Sequence, residues 1–110
     1  MKLSFIEFPA FTRRLLEITD DEALRELQND LMKQPDKGDV IQGSGGFRKV
    51  RMKIVGRGKS GGARVIYLRV PEVAIIVFVM IYTKGNKTNL TAKERITLRE
   101  IATEIKKELL

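Results

Sequence analysis

The sequence predicts an α+β domain, in which helices pack against a mostly antiparallel four-stranded sheet in the order β-α-α-β-β-β-α. Near both ends of the chain, apolar residues recur at helical spacing and follow residues typical of helix caps. Strand-like segments separated by turn residues lie between residues 47 and 82. A length of 110 residues suits one domain with a real core, so residues 1–110 are expected to form a single domain.

The first third of the chain predicts one strand and two helices. Residues 2–8 read as a strand, and Pro9 suits the first turn of a helix that runs to about residue 17. Thr19 and Glu22 have the spacing of a capping box, so they are expected to open a second helix, which ends at Pro35. The short link between the two helices predicts a helical hairpin.

The middle of the chain predicts three strands of a meander. Residues 36–46 are polar and glycine-rich and are expected to form a loop. Phe47–Val55 alternates strictly, a glycine-rich hairpin loop follows at 56–62, and Ala63–Val70 is the next strand. The apolar run Val73–Tyr82 is too short for a membrane helix and predicts a central strand covered on both sides, or nearly so.

The last part of the chain predicts one helix. After a polar connection at 83–90, Thr91 and Glu94 have capping-box spacing. Apolar side chains then recur along one stripe, and Lys106 and Lys107 fall in the last turn, where cations complement the helix dipole.

Composition excludes several classes of chemistry. The chain has no His and no Cys, which removes disulfides, zinc or haem ligation by those side chains, and every mechanism that needs a Cys nucleophile or a His base. We therefore expect no metal site and no cofactor. The start of the chain has no long apolar segment typical of a signal peptide, so a soluble cytoplasmic protein without a membrane contact is expected.

The positive charge is concentrated in the middle of the chain. The net charge is +7, and between residues 43 and 87 the only acidic residue is Glu72. Such a surplus predicts a polyanionic or acidic partner. A merely solubilising surface would usually mix charges of both signs.

The strand at Phe47–Val55 carries the clearest candidate for a nucleic-acid contact. Lys49, Arg51 and Lys53 share one face, about 7 Å apart by strand geometry, which is close to the phosphate spacing of a single nucleic-acid strand. A solvated strand face with spread charges is the competing interpretation. Further cations that can extend the patch are Arg57, Lys59, Arg64, Lys84 and Lys87.

The two tyrosines of the chain, Tyr67 and Tyr82, lie on the later strands. Each can stack on a base or bind a phosphate, and each can equally well pack in the core with its hydroxyl at the rim. By alternation, Tyr67 and Arg64 are expected on opposite faces of the sheet.

Three stretches of the chain resemble the RelE/HigB family of bacterial toxins, most closely its phage-related HigB-like branch. They are Gly38–Arg51 (GDVIQGSGGFRKVR), Gly61–Tyr67 (GGARVIY) and Ile81–Lys84 (IYTK). The resemblance implies the toxin of a toxin–antitoxin pair, a ribosome-dependent endonuclease that cleaves mRNA and inhibits translation. It also implies a cognate antitoxin partner, with DNA contacted only indirectly through the antitoxin complex.

The resemblance also implies roles for individual residues. The paired basic positions of the family fall on Lys49 and Arg51, the arginine that opens the next strand on Arg64, and the basic position after the central strand most nearly on Lys84. The family's late tyrosine has no match, since Leu90 stands near that place, and Tyr82 or Tyr67 is the candidate substitute.

These basic residues permit phosphodiester chemistry without histidine. The like charges of neighbouring cations are expected to release some neutral amine at Lys49, which would accept the proton of the attacking 2′-hydroxyl. Arg64, aided by Arg51, would stabilise the charge that grows on the phosphate, and Lys84 would position the backbone.

Two other functions remain open at this stage. One is a toxin of the related ParE type, which shares the fold but acts on gyrase without cleaving RNA. The other is an RNA- or protein-binding module without catalysis.

Overall fold

A computed structural model describes residues 2–54, 62–83, 85 and 89–110. The strands are β1 (Ser4–Glu7), β2 (Asp39–Val40), β3 (Phe47–Met52), β4 (Ala63–Val70) and β5 (Ile75–Thr83). The helices are α1 (Pro9–Ile18), α2 (Asp21–Lys33) and α3 (Ala92–Leu109), and a short 3-10 turn, Pro71–Val73, joins β4 to β5.

The strands form one mixed sheet with the order β1-β5-β4-β3-β2. β1 pairs with β5 in parallel, and the other neighbours are antiparallel. The predicted fold class is confirmed, but the predicted number of strands is wrong. The fifth strand is β2, which lies in the segment predicted to be a loop and pairs only Asp39 with Lys49 and Val40 with Arg48.

Helices cover both faces of the sheet. On the α1/α2 side, Phe11 and Leu15 of α1 and Leu27 and Leu31 of α2 share a core with Phe78 of β5. This arrangement, with one hydrophobic cluster on each side of the sheet, confirms that β5 is covered on both faces. On the opposite α3 side, the cluster contains Phe47, Ile66, Leu68, Val70, Val77, Tyr82, Leu90, Leu98, Ala102 and Ile105.

The two predicted capping boxes have different outcomes. At the start of α3 both bonds are present: the Glu94 amide donates to Thr91 Oγ1 at 3.1 Å, and the Thr91 amide donates to Glu94 Oε1 at 2.8 Å. At the start of α2 the predicted box of Thr19 and Glu22 is wrong. Asp20 is the N-cap there, and its carboxylate accepts a hydrogen bond from the Ala23 amide at 3.2 Å.

A β-bulge changes the alternation of β5. Ile66 is opposite Met80 while the next residue, Tyr67, is opposite Phe78, which leaves Val79 as the extra residue of β5. Before the bulge, Phe78 packs on the α1/α2 side; after it, Tyr82 packs on the α3 side. Without the extra residue, these two positions would share a face.

The segment before β2 is held in place from the α1/α2 side. The Tyr67 hydroxyl accepts a hydrogen bond from the Gly38 amide at 3.0 Å and donates one to the Pro35 carbonyl at 2.9 Å. Arg48 donates to the Gly38 carbonyl at 2.7 Å, and Arg69 forms an ion pair with Asp36 at 2.7 Å. These contacts fix β2 against β3.

The glycine-rich turn between β2 and β3 packs against α3. Gly45 has a φ of +81°, and a Cβ built on it would lie 3.0 Å from Ala102 Cβ. Ser44 is buried, and its hydroxyl accepts a hydrogen bond from the Phe47 amide at 3.1 Å. Much of Gly38–Arg51, the first stretch that resembles the family, therefore positions the start of β3.

None of the helices in the described part of the chain is long and apolar enough to span a membrane.

Candidate nucleic-acid interface

The face of β3 that carries the predicted cations begins in the core and ends at the surface. Phe47, which shares this face, is fully buried in the α3-side cluster. Two residues further along, Lys49 is half-buried, and then Arg51 is exposed. One end of the basic face of β3 is therefore buried under α3, and the other end faces solvent. Lys53, just beyond β3, is also exposed.

The pairing of three strands brings the predicted catalytic residues together. Arg51 of β3 is directly opposite Arg64 of β4, and Arg64 is directly opposite Tyr82 of β5. Directly opposite residues have Cβ atoms about 4.5–5.5 Å apart, so the two guanidinium groups share one small area of the sheet. Lys49, one step along β3, is opposite Ile66. We call Lys49, Arg51 and Arg64 the cation row.

Like charges directly opposite each other destabilise a sheet, unless an anion compensates them. Within the described residues, no salt bridge links the cation row or Lys53 to a carboxylate. Arg64 is half-buried, and its Nη1, which is itself buried, has no hydrogen-bond partner in the described part of the chain. The row is thus arranged to receive hydrogen-bond acceptors that carry negative charge.

The arginines on the other face of the same strands behave differently. Arg48 and Arg69 lie on the α1/α2 side, and both pair with the carboxylate of Asp36, at 3.5 and 2.7 Å. These two arginines maintain the fold, so the central surplus of charge divides into a structural pair and an unpaired row.

Tyr67 is not part of the interface. Its ring has no exposed surface, it belongs to the α1/α2-side core, and its hydroxyl is engaged by Pro35 and Gly38. Burial raises the pKa of the Tyr67 hydroxyl, so it is a neutral hydrogen-bonding group at physiological pH. The prediction that Tyr67 contacts RNA is wrong, because a ring without an exposed face cannot stack on a base.

Tyr82 lies beside Arg64 on the correct face but is only 4% exposed. Its ring packs in the α3-side core, which favours the core-packing alternative for this tyrosine, and its contact with RNA stays a prediction. Its position next to Arg64 suits support of that side chain from the core.

The cation row borders a groove between β3 and α2, with a volume of about 680 Å³. Glu26 and Asp30 of α2 also line this groove, and Asp39 of β2 stands directly opposite Lys49. Sequence counting missed these neighbours because the acidic residues come from the first third of the chain, and only the fold brings them near the cations. The groove is therefore acidic along its α2 wall and positive along β3.

Four further predicted residues, Arg57, Lys59, Lys84 and Lys87, lie outside the described residues. Across the described ranges, no group of three or more His, Cys, Asp or Glu side chains could hold a metal ion.

Comparison with known proteins agrees with the geometry. The family model of the RelE toxin of the RelE/RelB toxin–antitoxin system matches residues 8–109. The chain belongs to the RelE toxin family. A structure of an E. coli RelE toxin carrying two arginine-to-alanine substitutions, in the free state, aligns over 100% of both chains with a TM-score of 0.60 and 13% identity, which shows the same fold.

Membership of the RelE family establishes the class of function. The chain is the toxin of a toxin–antitoxin pair, in a family of ribosome-dependent mRNA endonucleases, and it has an antitoxin as its partner. Assignment to the HigB-like branch stays a prediction.

Proposed function

We propose that this RelE-family toxin binds mRNA on the ribosome through the cation row and cleaves it there. The observation that carries the proposal is the direct pairing of Arg51 with Arg64, without a carboxylate from the described residues to neutralise them. A phosphodiester placed over this pair would supply the missing negative charge.

The proposed reaction is an internal transfer at phosphorus. The RNA 2′-oxygen attacks the adjacent phosphorus while Lys49 is proposed to accept the 2′-hydroxyl proton. The bond from phosphorus to the 5′-oxygen breaks, that oxygen takes up a proton, and a 2′,3′-cyclic phosphate remains. Arg51 and Arg64 donate hydrogen bonds to the non-bridging oxygens as their charge grows.

The remaining cations would extend the contact with RNA. Lys53 is exposed beside the β3 groove and suits a flanking phosphate. Lys84 is proposed to position the backbone at the reacting phosphate. Arg57, Lys59 and Lys87 are proposed to contact phosphates further along the strand.

Mapping of mRNA ends after induction in cells tests the proposal. We expect breaks at codon-related positions for the wild type and a loss of at least about 100-fold in cleavage for Arg64→Ala, since removal of one transition-state donor commonly costs that much. Arg13→Ala is the matched control, because Arg13 is an exposed arginine of α1 without a salt bridge to any described residue. Thermal unfolding by circular dichroism establishes that both variants remain folded.

Three outcomes would contradict the proposal. Wild-type cleavage by Arg64→Ala and Lys49→Ala would remove the cation row from the chemistry. Growth arrest with intact mRNA and DNA damage would instead indicate a ParE-type action on gyrase, whereas ribosome binding with intact mRNA would indicate a non-catalytic module.

A further inference from the structure

A second groove lies beside β1, an edge strand of the sheet. It runs between β1 and the C-terminal half of α3 and has a volume of about 540 Å³. Val77 and the largely buried Ile105 contribute to its lining, and Ile6 of β1, which is 40% exposed, contributes an apolar side chain that faces solvent. The strand order places β1 two strands from β4 and three from β3, about 10 and 14 Å away, and no residue of the cation row lines this groove, so it is separate from the proposed RNA contact.

A line of glutamates borders this groove. Glu100, Glu104 and Glu108 all contribute to its lining, and their spacing of four residues places them along one side of α3, about 6 Å apart. None of them forms a salt bridge with a described residue. Lys106 of the same helix contacts the Gly45 carbonyl instead, at 3.4 Å. We call these three residues the glutamate line.

The glutamate line is unfavourable for the isolated chain. Like charges four residues apart destabilise a helix, and an apolar groove open to water loses the benefit of burial. A ligand that is apolar along its centre and basic along its edge would relieve both costs. Phosphate-bearing ligands are excluded by the same charges, because RNA and anionic lipid would be repelled by three carboxylates.

We propose that the β1–α3 groove is a docking site for an amphipathic helix of a partner protein, with its apolar stripe in the groove and Lys or Arg residues against the glutamate line. The line spans about 12 Å, which is a little over two helical turns. Basic residues at four-residue spacing on the incoming helix would match it, as the flanking charges of paired helices do. This proposal is independent of RNA cleavage by the cation row.

A pair of synthetic peptides tests the charge requirement on the full chain. Each peptide has about 18 residues, long enough to form a helix, with leucines at helical spacing; one carries lysines and its twin carries glutamates on the polar edge. The chain as a whole has a net charge of +7, so general electrostatics favours the glutamate peptide. We expect the reverse: the lysine peptide binds at least about tenfold more tightly, and the amide NMR signals of Ile6 and Ile101 shift on titration.

A charge-reversed variant locates the binding. The triple substitution of Glu100, Glu104 and Glu108 by Lys is expected to reverse the preference between the two peptides. Glu72→Lys, an exposed change in the turn between β4 and β5 that lines neither groove, is the control and should leave the preference unchanged. Circular dichroism on each variant establishes that α3 remains folded.

Three outcomes would overturn the proposal. The first is equal affinity for the two peptides, and the second is an unchanged preference in the folded triple variant. The third is self-association of the wild type in sedimentation equilibrium that the triple variant abolishes, which would make a second copy of the chain the occupant of the groove.

Discussion

Tyr67→Phe removes one oxygen atom that holds the segment before β2. The Gly38 amide, which is buried, would lose its acceptor, and the Pro35 carbonyl would lose its donor. A buried donor left without a partner costs about 1–3 kcal/mol, so we expect a loss of about 2 kcal/mol in the free energy of unfolding. With an unfolding entropy of about 2 cal/mol/K per residue over 110 residues, this corresponds to a fall of about 9 °C in Tm.

The same substitution has a defined pH dependence. Burial raises the pKa of Tyr67 above its ordinary value of 10.0, so the hydroxyl ionises at a higher pH in the native state than in the unfolded chain. The stability contributed by the neutral hydroxyl is fully present below about pH 10 and is lost as the pH rises through the native pKa. The difference between wild type and Tyr67→Phe should therefore be constant from pH 7 to 9 and should shrink above pH 10. Other groups that titrate there are common to both proteins and cancel.

Urea unfolding, followed by circular dichroism at each pH, measures this difference. Thr103→Ala is the control, since it removes an exposed hydroxyl that bonds only within α3, and should change stability by less than about 0.5 kcal/mol. Tyr67→Phe should also keep the wild-type mRNA cleavage pattern well below its Tm, because the cation row lies on the other face. Equal stability of the two proteins at pH 7, or loss of cleavage by folded Tyr67→Phe, would refute the structural role assigned to this hydroxyl.

Three further predictions test other parts of the molecule. Arg51→Gln should lower the slope of log K against log salt for single-stranded RNA by about 0.7, as the loss of one phosphate contact would, and an unchanged slope would place Arg51 off the RNA. Gly45→Ala should lower the unfolding free energy by about 1–3 kcal/mol, because its φ of +81° is strained for alanine and the new Cβ would lie 3.0 Å from Ala102; an unchanged Tm would contradict this. Glu104→Gln should raise the unfolding free energy by roughly 0.5–1 kcal/mol by removing two like-charge pairs on α3, and destabilisation would show that Glu104 has a stabilising partner.

Period-2 alternation was sufficient to predict that Lys49 and Arg51 share a face and that Tyr67 and Arg64 do not. Alternation depends only on the backbone of an extended chain, so it transfers directly from sequence to structure. Alternation alone would place Tyr82 on the face of Phe78, but the extra residue at Val79 reverses the faces in the second half of β5. Nothing in a uniformly apolar strand marks where such a bulge occurs.

Other differences arise from contacts between distant parts of the chain. β2 has only two residues and no hydrophobic pattern of its own, and it exists because Tyr67 and Arg48 fix the segment around Gly38. Whether Tyr67 packed or stacked could not be decided from its neighbours in sequence, because its hydrogen-bond partners are about 30 positions away. The acidic wall of the β3 groove was missed for the same reason.

The distribution of paired and unpaired charges distinguishes fold from function in this toxin. Arg48 and Arg69 show that the fold neutralises cations where they serve stability, since both pair with Asp36. Among the residues that the structure describes, the cation row on β3 and β4 and the glutamate line on α3 beside β1 break that rule with opposite signs. Natural sequences tend to violate such local rules at sites that bind something else, so the two exceptions point to two partners of opposite charge: a polyanion at β3 and β4, and a basic helix at β1 and α3. A toxin organised in this way could bind a protein beside β1 without covering the residues proposed to cleave RNA on β3 and β4.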